Sequence, residues 1–141
     1  MADDGSDFLR SMSIATSGLR AQAGRRKVIS ENIANADSTS STAGGEPYRR
    51  KVPTFSSALD RTLDAKVVTL GKVKPDTTAF RVKHEPGNPS ADASGNVRYP
   101  NVNPLIEMTD MRDAQRSYEA NLNIISATRR MIQRTLDILK A

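Results

Sequence analysis

The sequence predicts a mainly α protein in which long N- and C-terminal helices pair as a coiled-coil-like hairpin, with a small β-rich central segment between them. Three observations predict it. Near the C-terminus, Met108, Met111, Gln115, Tyr118, Leu122, Ile125, Arg129, Ile132, Leu136 and Leu139 alternate spacings of three and four, the a/d pattern of a coiled-coil seam. Near the N-terminus, Phe8, Met12, Ala15, Leu19, Gln22, Arg26, Ile29 and Ile33 do the same. Residues 37–102 show no such period and are rich in Gly, Pro, Ser and Asp. The expected organisation is an assembly helix over 6–36, a connection and small β-rich segment over 37–102, and a second assembly helix over 103–141.

Each helix has a second apolar row at heptad position c: Ile14, Ala21 and Val28 in the first, Ile124, Met131 and Ile138 in the second. At about 100° per residue, this row points roughly 130° away from the centre of the a/d stripe and cannot share its partner. One intramolecular hairpin covers a single face of each helix, so the second face implies assembly with further chains.

The elements follow in order. Ser6 or Asp7 can cap the first helix, with Asp3, Asp4 and Asp7 near its positive end, and the helix is expected to run to about Asn35. Gly18 and Gly24 weaken it in isolation, each by about 1 kcal/mol relative to Ala. Asp37 to Gly45, almost wholly Ser, Thr, Ala and Gly, reads as a flexible connection. Tyr48 to Phe55 reads as extended, although Pro53 makes it a poor central strand. Lys66 to Val73 and Ala79 to His84 read as short strands separated by Lys74-Pro75-Asp76, and Val97 to Tyr99 as a further extended piece after the turn-forming run Glu85 to Asn96. The second helix has Asn103 as N-cap and Pro104 at its first position, where the missing N–H costs nothing. Glu107 and Asp110 suit its positive end; Arg129, Arg130, Arg134 and Lys140 suit its negative one.

Composition narrows the function. With 141 residues, no tryptophan, three phenylalanines and three tyrosines, the core is aliphatic and modest, which argues against an enzyme with a deep pocket. There is no cysteine for disulfides or thiolate metal sites. His84 is the single histidine, and its neighbour Glu85 points to the opposite face of a strand. Asn88, Ser90, Asp92, Ser94 and Asn96 place oxygen side chains at alternate positions but include one carboxylate and no closing Glu, so the run reads as a turn and not a calcium loop. No catalytic, cofactor-binding or metal-ligating residue is assigned. The charge of +5 and the clusters Arg25-Arg26-Lys27, Arg49-Arg50-Lys51 and Arg129-Arg130 with Arg134 invite a nucleic-acid reading. No aromatic residues are interleaved with them as stacking platforms. The acidic start, Met1 to Asp7, lacks the apolar core of a cleavable signal peptide, and no apolar run is long enough to span a bilayer.

At the end of the first helix, Ser30-Glu31-Asn32-Ile33-Ala34-Asn35-Ala36-Asp37-Ser38-Thr39 resembles the Asn-x-Ala-Asn signature of bacterial flagellar axial proteins, the family of rod, hook and hook-associated subunits. Asn32 and Asn35 there can satisfy end-of-helix carbonyls or accept unusual backbone angles, while Ile33 and Ala34 stay packed. Further blocks are similar to the proximal-rod members of that family: Tyr48-Arg49-Arg50-Lys51, Glu85-Pro86-Gly87-Asn88-Pro89 with Ala91-Asp92, Tyr99-Pro100-Asn101-Val102-Asn103, Glu107-Met108, Ser117-Tyr118-Glu119-Ala120-Asn121 and Thr135-Leu136. Pro104 and the stretch Lys66 to Thr78 depart from the pattern.

The resemblance implies a mechanical element without catalytic activity or cofactor. Its terminal helices would pack with copies of itself and with other rod proteins into the inner wall of a helical tube, the central segment lying outside. It would link the motor ring and basal-body adaptor proteins to the distal rod and hook as part of the periplasmic rod. The flagellar type III export apparatus would carry it as an unfolded chain without a cleaved signal peptide, and neither nucleic acid nor direct membrane insertion belongs to this reading. The alternative from another class is a basic coiled-coil dimeric regulatory protein that binds nucleic acid, whose affinity would fall steeply with salt.

Overall fold

The computed structural model of the chain describes residues 4–140. Met1, Ala2, Asp3 and Ala141 lie outside the described residues, and with them the expected helix-end role of Asp3 and the last residue of the second assembly helix. Two long helices flank a small β region. Helix α1 spans Asp4–Ala34, beginning ahead of the expected caps Ser6 and Asp7. Helix α2 spans Pro104–Lys140, a length of about 56 Å at 1.5 Å per residue. Asn103 caps it as expected: its Oδ1 accepts the Leu105 N–H at 3.1 Å.

Between the helices lie β1 (Lys51–Val52), β2 (Phe55–Asp60), β3 (Ala65–Leu70), β4 (Lys74–Pro75), β5 (Arg81–His84) and β6 (Asn96–Tyr99). They form three antiparallel two-stranded ribbons, β1 with β4, β2 with β3 and β5 with β6. Two sequence expectations change. Lys74-Pro75 is not a separator but a strand, and Pro75 is tolerated because it pairs in a minimal ribbon against Lys51. Phe55 to Asp60 is a full strand paired to β3 from Phe55↔Leu70 to Asp60↔Ala65. Its turn has no Asn-Gly or Asp-Gly signal. Asp60 Oδ1 accepts the Thr62 N–H at 2.9 Å, and Asp64 closes the turn with φ of 45°.

The chain divides into two compact units. The first comprises Met1–Arg26, Thr54–Lys72 and Asp113–Ala141, the second Lys27–Pro53 and Val73–Arg112. The first unit has a thin core of small residues: Ala15, Ala21, Ala114 and Thr128 are buried. Here the two helix glycines find their reason. A Cβ on Gly18 would lie 2.8 Å from Asn121 Oδ1, and one on Gly24 would lie 2.6 Å from Leu70 Cδ2. Both glycines trade helix propensity for close approach of a neighbouring element. The second unit packs Val28, Ile29, Ala36, Val97 and Val102 around buried Asn32, Ser90 and Glu107. Among the described residues no helix is long and apolar enough to cross a membrane.

Candidate functional site

Within the second unit, the end of α1 is tied to β1 and to the first turn of α2 by a buried polar clasp. Asn32 is fully buried, and an asparagine side chain offers two N–H donors and two acceptor lone pairs. All four are used. Nδ2 donates to the Lys51 carbonyl at 2.8 Å and to Glu107 Oε2 at 3.0 Å. Oδ1 accepts from the Lys51 N–H and the Tyr48 hydroxyl, both at 2.9 Å. Asn32 thus pairs with Lys51 as a neighbouring strand would, supplying a ladder partner from a helix. Glu107, 1% exposed, is neutralised by Arg50, whose Nε donates to Oε1 at 2.6 Å. The same guanidinium lies 3.3 Å from Asp76 and 3.8 Å from Asp110. Asn101 completes the arrangement: Oδ1 accepts the Arg50 N–H at 2.8 Å, and Nδ2 donates to the Thr78 hydroxyl at 2.9 Å.

The electrostatics follow from these contacts. Hydrogen bonds from the Thr78 N–H and hydroxyl, with Arg50 alongside, hold the Asp76 carboxyl below its ordinary value. Burial works against the Arg50 charge, but its bonds to Glu107 and Asp76 prevail and raise its pKa. At the β5–β6 ribbon, Glu85 Oε2 accepts from Asn88 Nδ2 and from the Tyr99 hydroxyl, both at 3.0 Å. Those bonds lower the Glu85 pKa, and the same contact raises that of Tyr99. The arrangement fixes geometry.

The two asparagines of the flagellar-type signature divide their labour. Asn35 does what the sequence suggests, its Nδ2 capping the Glu31 carbonyl at 2.8 Å. Asn32 does not satisfy a helix-end carbonyl; it reaches across to β1 and α2. Neither takes a left-handed backbone, which among the described non-glycine residues occurs at Asp64 alone.

The helix seam also differs from the a/d expectation in one row. On α2 the row Met111, Tyr118, Ile125 and Ile132 is half-buried. The other covered row is Glu107, Ala114, Asn121 and Thr128, one residue before the expected Met108, Gln115, Leu122 and Arg129, which are exposed. The reason is size. Small or hydrogen-bonded side chains let the helices approach, as Asn121 does on Gly18, while Thr128 spends its hydroxyl on the Ile124 carbonyl at 2.9 Å. The Arg26 guanidinium lies 5.6 Å from the Tyr118 ring centre, a cation–π contact at an interrupted seam position.

Of the residues assigned to assembly, Ala15, Val28, Ile29 and Asn32 are buried inside the chain. Phe8, Met12, Leu19, Ile33, Asn35, Met111, Tyr118, Ile125 and Ile132 are half-buried. Ile14, Met108, Leu122, Ile124, Met131, Leu136, Ile138 and Leu139 are exposed. The expectation that the whole c row of α1 lacks an internal partner therefore fails at Ala21 and Val28, 2% and 6% exposed. The c row of α2 is open along its length. Sequence reasoning missed the clasp itself: Glu107 was assigned to the helix dipole and Arg50 to a basic cluster, and no local spacing signals that they meet.

Comparison with known proteins fits this architecture of long terminal helices joined at a clasp. A family described as "Flagella basal body rod protein" matches residues 12–40, and one described as "Flagellar basal body rod FlgEFG protein C-terminal" matches residues 93–138. The first match spans α1 from Met12 through both signature asparagines; the second spans β6 and nearly all of α2. The chain is 52% identical to the flagellar basal-body rod protein FlgC of Agrobacterium fabrum over 91% of its own length and 92% of that relative. It is 37% identical to FlgC of Bacillus subtilis, covering 92% and 97%, and 36% identical to FlgC of Aquifex aeolicus, covering 95% and 98%. The chain belongs to the FlgC family of flagellar basal-body rod proteins. It is a structural subunit of the bacterial flagellar basal-body rod. None of these relatives is a nucleic-acid-binding regulator, and that alternative has no support.

Proposed function

We propose that this subunit builds the proximal rod by pairing its terminal helices in a coiled-coil-like way and burying their remaining apolar rows against neighbours. The observation that carries this reading is the apolar surface left open on α2. Ile124, Met131 and Ile138 are 48%, 49% and 75% exposed, and Leu122, Leu136 and Leu139 add to them. Apolar exposure on this scale, on two faces of one helix, marks interaction surfaces. Heterologous contacts that do not close into a ring propagate helically, so such rows suffice to define a tube. Torque from the motor ring then passes to the distal rod and hook through many side-chain contacts at once, with no catalytic step.

The partners in this reading are copies of the chain, other rod proteins, the basal-body adaptor and motor-ring proteins, and the flagellar type III export apparatus. The chain reaches the periplasmic rod as an unfolded polypeptide through that apparatus, and its open helix faces become covered on arrival. The test replaces Ile124 or Met131 with Asp in the full chain. Export should persist while rod completion and motility are lost; rods completed at normal frequency by either variant would overturn the reading.

A further inference from the structure

A second open surface lies within the first unit, where the β2–β3 ribbon stands over one flank of α1 and leaves a groove of about 560 Å³. It is lined by Met12, Thr16 and Ala21 on α1 and by Val67 and Leu70 on β3, together with the charged Arg20 and Asp60. Two of the hydroxyls beside it are already satisfied. Thr16 donates to the Met12 carbonyl and Ser17 to the Ile14 carbonyl, both at 2.7 Å, and Ser17 also accepts the Val68 N–H at 3.2 Å. The groove therefore presents apolar side chains of α1 and β3 beside the hydroxyls and the two charges that line it. A two-stranded ribbon is marginally stable by itself, so something filling the space beneath it would add to its stability.

We propose that this groove receives the C-terminal end of α2 from a second copy of the chain. This rests on the assembly reading above and names one of its contacts. The last turns of α2, from Gln133 to Lys140, are exposed on every side, with Ile138 and Leu139 at 75% and 78%. The charges are complementary: Asp137 on the incoming helix suits Arg20, while Arg134 and Lys140 suit Asp60. The chain cannot fill its own groove this way. α2 has no Gly or Pro after Pro104 to let its end fold back, and none of its residues lines the groove. Groove and helix end are different surfaces of one molecule, so their contact is heterologous and leaves a free groove and a free end for the next copy.

The absence of cysteine makes the test direct. Full-length Thr16→Cys and Leu139→Cys chains are mixed and oxidised, so that any heterodimer must join groove to helix end between copies. Heterodimers should form several-fold more than in a control mixture of Val82→Cys with Leu139→Cys. Arg20→Glu in the groove chain should reduce the yield, and Asp137→Arg in the other should restore it. Heterodimer yields no higher than the control, in samples that sedimentation shows to self-associate, would overturn this contact while leaving the assembly reading intact. Chains that stay monomeric at every concentration would overturn both.

Discussion

The two compact units close their surfaces by different means. The second unit, Lys27–Pro53 with Val73–Arg112, is sealed by a satisfied polar network: Asn32 uses all four hydrogen-bonding positions, and buried Glu107 meets Arg50. The first unit is held by a seam of alanines, a glycine and polar side chains, and it leaves Leu122, Ile124, Met131, Leu136, Ile138 and Leu139 in the open. The clasp of the second unit is complete within the chain and asks nothing of a neighbour, although Leu105, Ile106 and Met108 stay exposed there. A unit with unburied apolar rows gains most of its stability from one, because helices draw stability chiefly from packing. The division teaches that one chain can combine a polar anchor satisfied within itself with apolar rows that are left for assembly.

The largest expected effect breaks the anchor. Arg50→Ala leaves a buried carboxylate without its cation, and Asn32→Ala orphans the Lys51 amide and carbonyl together. Each should cost roughly 3–5 kcal/mol, read as a lowered denaturant midpoint of the isolated chain. A change in the first unit at Ala114, which is fully buried, comes next. Ala114→Asp should cost several kcal/mol by placing an unpaired charge in the seam, about 2 or more on the usual scale, whereas Leu122→Asp should be nearly neutral in the monomer. Equal losses from the two would restore the original a/d register and remove the shifted row.

Acid should loosen the anchor. Asp76 and Glu85 are held below their ordinary values of 3.8 and 4.5 by hydrogen bonds made in the folded unit. A depressed carboxylate contributes stability that is present above its unfolded value and is lost as pH falls through the folded one. Tyrosine fluorescence should therefore report weakening of this unit below about pH 4, and Glu85→Gln should flatten part of that slope. The smallest monomer effects belong to Ile124→Asp and Met131→Asp. Their denaturation midpoints should match wild type to within about 0.5 kcal/mol, although rod assembly is lost.

The two helices were legible in the sequence, because periodicity locates long helices well, but the split of each helix between two units was not. α1 and α2 lie close to their expected positions, and the Asn103-Pro104 start of α2 holds in detail. What stayed hidden depends on contacts distant in sequence. Asn32, Arg50 and Glu107 meet across 75 residues, and each has an adequate local explanation as a helix-end, basic-cluster or dipole residue. The shifted α2 row was hidden because apolarity was counted while Ala114, Asn121 and Thr128 pack through small size or satisfied polarity. The β2 strand was missed because Phe55-Ser-Ser-Ala-Leu-Asp has little β-branched content and its turn relies on an aspartate cap and a left-handed Asp64.

The central claim is that folding of the anchor is independent of assembly while the open helix stretches depend on it. Native-state hydrogen exchange on the dilute, verified monomer tests it most directly, because exchange resolves the stability of each helix segment separately. Slow exchange is expected at Lys27–Ala34 and at 105–112, together with the β5–β6 ribbon. Fast exchange is expected from Phe8 to Arg26 and from Asp113 to Leu139. Uniform strong protection along the full length of α1 and α2 in the monomer would show that both units fold unaided and would contradict the account.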